Sequence, residues 1–216
     1  MAYTTAIFDL DGTLLNTLND LYTSVNHALK VYGLPERSLA DVRMFTGNGI
    51  ARLIHLSLPE GTSPELEAQV FDEFKRYYDA HKLDTTRPYT GMSEVIGDLR
   101  HVGVSCAVAS NKADFAVQGI IDRYFPGTFD YVTGEREGVP RKPNRAMIDA
   151  ILATLGRSQE GLVYVGDSEV DIETAKNCGC DCIICSWGFR DRDWLLEHGA
   201  TTIVDTPAQL ERQILA

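Results

Sequence analysis

The chain has 216 residues, of which 44% are hydrophobic and 24% are charged, a composition typical of globular proteins with a substantial core. Its formal net charge of −11 argues against nucleic acid or an anionic membrane as a partner, since both require a basic surface. No apolar run reaches the roughly 20 residues of a membrane span, and the start of the chain lacks the basic region of a signal peptide. We therefore expect a cytoplasmic protein.

The first predicted element is the apolar run TTAIFDL, residues 4–10, which contains Asp9 and is followed at once by Asp11. Side chains two residues apart on a strand point the same way, so these two carboxylates would converge. Asp-Gly is also a common turn pair, which is the structural alternative. Burying a carboxylate is costly unless it is paired or bound to a metal, so the pair at a strand end indicates a functional site.

The next segment, from Thr17 to about Asp84, has no strand-like run and a helical pattern of apolar residues. The return to the sheet is marked by Pro88 and Gly91. The pattern predicts a small all-helical domain, residues 17–84, inserted into a core formed by residues 1–16 and 85–216. We call residues 17–84 the helical insertion.

After the helical insertion, further strand-like runs alternate with helix-like stretches: GVSCAVAS, FDYVTG, GLVYVGD, CDCIICSWG and ATTIVD. This alternation indicates an α/β fold with a mostly parallel sheet. The CGCDCIIC stretch, residues 178–185, suggests a zinc site at first sight. However, Cys180 and Cys182 would share one face of a strand while Cys185 takes the other, so we expect these cysteines to serve packing.

In an open α/β sheet the ligand site lies beyond the carboxyl ends of the strands. The polar residues predicted there are Asp9, Asp11 and Thr13 after the first strand, Ser110, Asn111 and Lys112 after the second, Asp167 and Asp171 after the fourth, and Lys142 before a helix. Carboxylates that converge raise one another's pKa, and a hard dication such as Mg²⁺ removes that conflict. A hydroxyl and a lysine suit phosphate oxygens. These residue types together indicate chemistry on a phosphate ester.

Four ordered segments, DLDGT, ASNK, RKP and GDSEVD, resemble the four motifs of the haloacid dehalogenase superfamily. The resemblance implies a Rossmann-like core with an inserted helical cap, and hydrolysis through an aspartyl-phosphate. It implies that Asp9 is the nucleophile and Asp11 the general acid and base. In having an acid at position 11, the chain resembles the phosphotransferase members of the superfamily, since the dehalogenases lack an acid there.

The same resemblance assigns the remaining residues. Mg²⁺ would be held by Asp9, by the backbone carbonyl of Asp11 and by Asp167, with Asp171 supporting the metal site. The phosphoryl group would be bound by Ser110 and Lys142, next to the predicted substrate-binding residues Thr13 and Asn111. Asp171 has a structural alternative as a surface acid in the first turn of a helix.

Three further segments, VRMFTGNG, RPYTGM and CSWGFRDRDWLLEHGA, resemble phosphoglycolate phosphatases, although phosphatases acting on nucleotides or pyrophosphate share them in part. The implied partner is a small phosphorylated metabolite, with Asn48 and Arg52 of the helical insertion as candidate contacts. Arg52 has the alternative of a solvated position on the flank of its helix. The sequence leaves the oligomeric state open.

Two alternatives remain. The segment GIAR, residues 49–52, resembles part of the cap signature of β-phosphoglucomutases, but Leu21 and Asn48 stand where that group has a histidine and a lysine. A non-enzymatic receiver domain also combines clustered aspartates with a hydroxyl and a lysine. Its order of elements differs, because here the proposed acceptor lies on the first strand and a helical insertion follows.

Overall fold

The computed structural model describes residues 3–216, and its first half contains the helical insertion. In chain order the elements are β1 (Thr5–Phe8), β2 (Leu15–Asn16), α1 (Leu18–Val31), α2 (Leu39–Phe45), α3 (Ile50–Ser57), α4 (Pro64–His81) and β3 (Arg87–Pro88). The segment predicted to be helical therefore holds four helices.

The second half alternates between helices and strands. Its elements are α5 (Met92–His101), β4 (Ser105–Ala113), α6 (Asp114–Tyr124), β5 (Tyr131–Glu135), α7 (Ala146–Leu155), β6 (Leu162–Gly166), α8 (Glu169–Cys178), β7 (Asp181–Cys185), α9 (Arg192–Glu197), β8 (Ile203–Val204) and α10 (Pro207–Leu215). Each strand-like run of the sequence corresponds to one of the strands β1, β4, β5, β6, β7 and β8.

These six strands form one parallel sheet in the order β5-β4-β1-β6-β7-β8. Every residue of the central strands β1 and β6 is buried, because helices cover both faces of the sheet. On β1, Phe8 packs with Ile96 of α5 on one face, whereas Ile7 packs with Ile148 of α7 on the other. The predicted α/β fold with a mostly parallel sheet is confirmed.

The four helices of the helical insertion enclose a hydrophobic cluster of their own. Its buried members come from all four helices, and they are Leu21, Val25, Ala28, Leu29, Val42, Leu53, Ile54, Leu58, Val70, Phe74 and Tyr78. Helix α2 begins with a reciprocal cap, in which Ser38 Oγ accepts from the backbone N–H of Asp41 at 3.1 Å and the Asp41 carboxylate accepts from the Ser38 N–H at 3.0 Å.

The two ends of the helical insertion meet close to the carboxyl end of β1, where Asp11 bridges to Leu15. Strands β2 and β3 pair antiparallel there, with Asn16 opposite Arg87. The buried carboxylate of Asp20, in the first turn of α1, accepts hydrogen bonds from the backbone N–H groups of Thr85 and Thr86, each at 2.9 Å. One side chain therefore connects the chain segments that enter and leave the helical insertion.

Strand β4 differs from its predicted end at Ser110, because it continues to Ala113. Its register against β5 shifts between Ala109 and Ala113. Such irregularities change the direction of side chains near active sites. Here Ser110, Asn111 and Lys112 are all buried, at 2–4% exposure, at the edge of the sheet.

All five cysteines are free thiols. Cys106 and Cys185 belong to one hydrophobic cluster of the sheet and Cys178 to another, against which Cys180 and Cys182 are half-buried. Within residues 3–216, the one group of side chains close enough to hold a metal contains no cysteine. Over the same residues, no helix has both the length and the apolar character that a membrane crossing requires.

We expect Asp20→Ala to lower the free energy of unfolding by about 2–3 kcal/mol, because the buried N–H of Thr86 would lose its partner. The urea midpoint at unchanged m-value measures this loss. Asp72→Ala, at an exposed position of α4, is the matched control and should stay within about 0.5 kcal/mol of the parent protein. Equal midpoints for the two variants would contradict a role for Asp20 in joining the two segments.

Candidate active site

Three buried carboxylates converge at the carboxyl ends of β1 and β6. Asp9 follows β1, Asp167 follows β6, and Asp171 lies in the first turn of α8. One oxygen from each lies within 4.8 Å of the others. Three acids so close together in the interior require compensation by positive charge.

Lys142 supplies part of that compensation. Its Nζ lies 2.9 Å from Asp9 Oδ1 and 2.9 Å from Asp171 Oδ1, and it donates to the hydroxyl of Tyr164 at 2.8 Å. Burial alone would lower the pKa of Lys142, but Asp171 and Asp9 hold it well above its usual value. One ammonium group therefore contacts two of the three carboxylates.

The carboxylates remain in excess despite Lys142. Burial raises the pKa of Asp9, which Lys142 opposes and the charge of Asp171 reinforces. Burial also raises the pKa of Asp167 well above its ordinary value, with further contributions from Asp171 and Asp9. The cluster therefore favours the arrival of a second positive charge.

Asp171 is fully buried, unlike the surface acid that was its structural alternative. Its Oδ2 accepts from the N–H groups of Asp167 and Ser168, each at 3.1 Å, and from the Ser168 hydroxyl at 2.8 Å. Its other oxygen contacts Lys142. Asp171 therefore holds both the backbone of Asp167 and the ammonium of Lys142 in place.

Asp167 is held by two donors and two close backbone segments. Thr13 Oγ1 donates to Oδ1 at 3.2 Å, and the N–H of Phe189 donates to Oδ2 at 2.7 Å. Gly12, at φ +83°, and Gly188 lie so close that a Cβ at either position would overlap the Asp167 side chain. Sequence reasoning missed both glycines, although the Asp-Gly and Trp-Gly pairs were a visible signal.

Asp11 lies outside the carboxylate cluster. Both of its carboxylate oxygens contact Lys112 Nζ, at 3.0 and 2.9 Å. The side chain of Asp11 is therefore paired with Lys112, whereas its predicted metal contact is through the backbone carbonyl. The Lys112 ammonium also lies 4.9 Å from the ring centroid of Tyr78, a residue of α4, so the site is joined to the helical insertion.

A cavity of about 400 Å³ lies above these acids, between the sheet and the helical insertion. The sheet contributes Asp9, Asp11, Ser110, Asn111 and Lys112 to its lining, and the helical insertion contributes Leu21, Thr46, Gly47, Gly49, Ile50 and Leu53.

Four predicted substrate-binding residues lie outside this lining. Lys142 contacts Asp9 from the buried side, and Thr13 faces Asp167. Asn48 is half-buried and Arg52 is exposed, and neither lines the cavity. The geometry therefore gives no support to substrate contacts by Thr13, Asn48 or Arg52.

Asn111 connects the two sides of the cavity. Its Nδ2 donates to the carbonyls of Gly47, at 3.1 Å, and Lys142, at 3.0 Å, while its Oδ1 accepts from the N–H of Lys142 at 2.9 Å. The predicted substrate-binding residue thus also holds the loop that carries Lys142 against the loop at Gly47.

Arg190, which sequence reasoning missed, makes a further connection to the helical insertion. It is 2% exposed, and its Nε and Nη2 contact the carboxylate of Glu169 at 2.7 and 3.0 Å. Its guanidinium also donates to the backbone carbonyls of Arg43, at 3.0 Å, and Thr46, at 2.9 Å. Arg43 itself pairs with Asp191 at 2.9 Å.

The sequence of the chain matches a family model and several curated relatives. The family model described as haloacid dehalogenase-like hydrolase matches residues 6–185. The phosphoglycolate phosphatase of Cereibacter sphaeroides is 33% identical over 216 residues, covering 97% of this chain and 98% of the relative. That of Pseudomonas savastanoi pv. phaseolicola is 30% identical over 205 residues, covering 92% of this chain and 75% of the relative.

A solved structure agrees over the full length. A candidate phosphoglycolate phosphatase from Lactobacillus delbrueckii subsp. bulgaricus superposes with a TM-score of 0.95 at 36% identity, covering 100% of both chains. The names of these relatives denote phosphoric monoester hydrolases, the enzyme class predicted from the sequence. Since the family model spans most of the chain and the relatives cover nearly all of it, the chain belongs to the haloacid dehalogenase-like hydrolase family.

Proposed function

We propose that the chain is a Mg²⁺-dependent phosphatase that hydrolyses a small phosphate monoester, phosphoglycolate above all, through an aspartyl-phosphate on Asp9. The observation that carries this proposal is the small cavity directly above Asp9 and Asp11, beside a buried carboxylate cluster with an excess of negative charge. The names of the relatives support the choice of substrate. The cytoplasmic location stays a prediction.

We propose further that residues 17–84 form the cap domain and that residues 1–16 and 85–216 form the catalytic core. The helical insertion has its own hydrophobic cluster, and the cavity lies where it meets the sheet. The helical insertion therefore supplies the walls that surround the organic part of a substrate, whereas the sheet supplies the reacting groups.

The carboxylate cluster fits a hard divalent cation, because its donors are oxygens and its three carboxyl groups outnumber the one ammonium group, that of Lys142. Asp9 and Asp167 would hold Mg²⁺, together with the backbone carbonyl of Asp11. Asp171 already accepts from four donors, against two at Asp167, so it would act by supporting Asp167. When bound, Mg²⁺ neutralises charge on the phosphoryl group.

The reaction is assigned to the chain's own residues as follows. A carboxylate oxygen of Asp9 attacks phosphorus, forming one P–O bond as the ester P–O bond breaks. Asp11 gives a proton to the departing alkoxide and then takes one from the water that hydrolyses the aspartyl-phosphate. The hydroxyl of Ser110 accepts from the N–H of Lys112 at 3.2 Å, which leaves its own proton available for a phosphoryl oxygen.

Leu21 favours a hydrolase over the mutase alternative. It lines the cavity near the position where β-phosphoglucomutases are expected to carry their cap histidine. A leucine cannot transfer a proton to or from a sugar hydroxyl. Membership of the haloacid dehalogenase-like hydrolase family likewise disfavours the receiver-domain alternative.

We expect a chelator to abolish phosphatase activity and added Mg²⁺ to restore it, because the excess of buried carboxylates would be uncompensated without the cation. Calorimetric titration of Mg²⁺ supplies a readout that does not depend on turnover. Asp167→Asn should weaken Mg²⁺ binding at least about tenfold, whereas the exposed control Asp72→Asn should leave it unchanged. Full turnover in metal-free buffer would contradict the assignment.

We expect Asp9→Asn to abolish both turnover and the covalent phosphoenzyme, because an amide is not the required nucleophile. Asp11→Asn should still form the phosphoenzyme but should reduce turnover by about 10²- to 10⁴-fold, because proton transfer is lost. Intact-protein mass spectrometry after rapid quenching detects the added phosphoryl group. Near-normal activity of Asp9→Asn would replace this scheme with direct attack by water or by another nucleophile.

A further inference from the structure

We infer that Lys112 is the specificity-determining residue of the cavity, and that it binds a carboxylate carried on the organic part of the substrate. The inference deepens the proposed phosphatase function and rests on it. It concerns the group that distinguishes an anionic substrate from other phosphate esters, rather than the phosphoryl group that all such esters share.

The first supporting observation is the distribution of positive charge. Among residues 3–216, Lys112 is the one cationic side chain in the cavity lining. Lys142 lies on the buried side of Asp9, where Asp9, Asp171 and Tyr164 surround its ammonium. A substrate carboxylate that enters beside Asp9 and Asp11 requires a cation, and Lys112 is positioned to provide it.

The Lys112 ammonium is paired with Asp11 beside the cavity. The side chain is 4% exposed, and its Nζ lies 2.9 Å from Asp11 Oδ2. An ammonium group has three donors. Two contacts go to the oxygens of Asp11, which leaves donor capacity for a further acceptor.

The second observation is distance. The leaving oxygen of the ester must come within hydrogen-bond reach of Asp11, about 2.6–3.2 Å. Lys112 Nζ is itself 3.0 and 2.9 Å from the two oxygens of Asp11. In phosphoglycolate the carboxylate carbon is two covalent bonds beyond the leaving oxygen. The ammonium that holds the general acid is therefore within reach of this carboxylate as well.

The third observation is the hydroxyl of Tyr78. The side chain is 5% exposed, and within residues 3–216 its hydroxyl has no hydrogen-bond partner, while the Lys112 ammonium lies 4.9 Å from the centroid of its ring. Buried hydroxyls without partners are costly. A second cavity, of about 300 Å³, is lined by Tyr78 and shares Lys112 and Ile50 with the first. A carboxylate beside Lys112 would therefore enter a region where a buried donor also lacks an acceptor.

The test compares phosphoglycolate with 2-hydroxyethyl phosphate, which replaces the carboxylate by a neutral hydroxymethyl group. Lys112→Gln should lower kcat/KM for both substrates, because Asp11 loses its partner. The loss for phosphoglycolate should exceed the loss for 2-hydroxyethyl phosphate by about 10- to 100-fold, the range for a hydrogen bond to a charged group. The excess should appear mainly in KM, because the carboxylate does not react.

Three further variants complete the test. Lys112→Arg keeps the charge and should keep the preference for phosphoglycolate within about tenfold of the parent enzyme. Tyr78→Phe removes the hydroxyl without changing Lys112 or Asp11, and it should lower kcat/KM several-fold more for phosphoglycolate than for 2-hydroxyethyl phosphate. These two variants test the inference if Lys112→Gln does not fold. Lys30→Gln, at an exposed position of α1, is the matched control and should leave the ratio unchanged.

The possible results distinguish a failure of the inference about Lys112 from a failure of the proposed function. If the parent enzyme prefers phosphoglycolate and the ratio does not move in Lys112→Gln or in Tyr78→Phe, the inference is wrong and the proposed function stands. If the parent enzyme shows no preference for phosphoglycolate over 2-hydroxyethyl phosphate, the proposed substrate is wrong as well. A ratio that falls in Lys112→Gln and is retained in Lys112→Arg supports the assignment.

Discussion

The acidic end of the sheet depends on one buried ammonium group, that of Lys142. Removing a carboxylate from water is costly, and three of them meet here within 4.8 Å. Lys142 contacts two of them directly, and through Asp171 it is connected to the backbone of Asp167. Its own loop is held by Asn111. Lys142 therefore allows the proposed nucleophile and a proposed metal-binding acid to lie close together before any ligand binds. Its one positive charge does not balance three carboxylates, so the cluster favours a second cation.

The strands that could be predicted from the sequence are those buried on both faces of the sheet. Parallel strands covered on both faces are apolar over their whole length, so runs such as residues 162–166 stand out against the amphipathic helices between them. Strands β2 and β3 have two residues each and no pattern of their own, because their pairing is created by the ends of the helical insertion. The extension of β4 past Ser110 depends on a register shift against β5, a tertiary contact that local sequence does not encode.

The site residues on the strands could likewise be predicted from the sequence, whereas those on the helical insertion could not. Asp9, Asp11 and Asp167 follow strands and Ser110 lies near the end of one, and the carboxyl ends of these strands meet, so recognising the strands is enough to group the four residues. The helical insertion offered no such rule: which of its side chains face the cavity depends on how its helices rest on the sheet. Asn48 and Arg52 therefore looked suitable by residue type but lie elsewhere, whereas Thr46 and Leu53 line the cavity. Arg190 and Glu169 lie in the segments CSWGFRDRDWLLEHGA and GDSEVD, but their ion pair is a tertiary contact between the loop after β7 and the start of α8, which local sequence does not encode.

The antiparallel pairing of β2 with β3 has a consequence for how proteins of this design diversify. Because the outgoing and returning strands lie side by side, the chain between them leaves and re-enters the core at one place. A segment attached in this way can be exchanged for another without changing strand order, since the spacing of its two ends is already fixed. The reacting acids belong to the sheet and would stay in place through such an exchange. Replacing the helical insertion with another segment can therefore change the substrate of such a protein while its reacting groups stay the same.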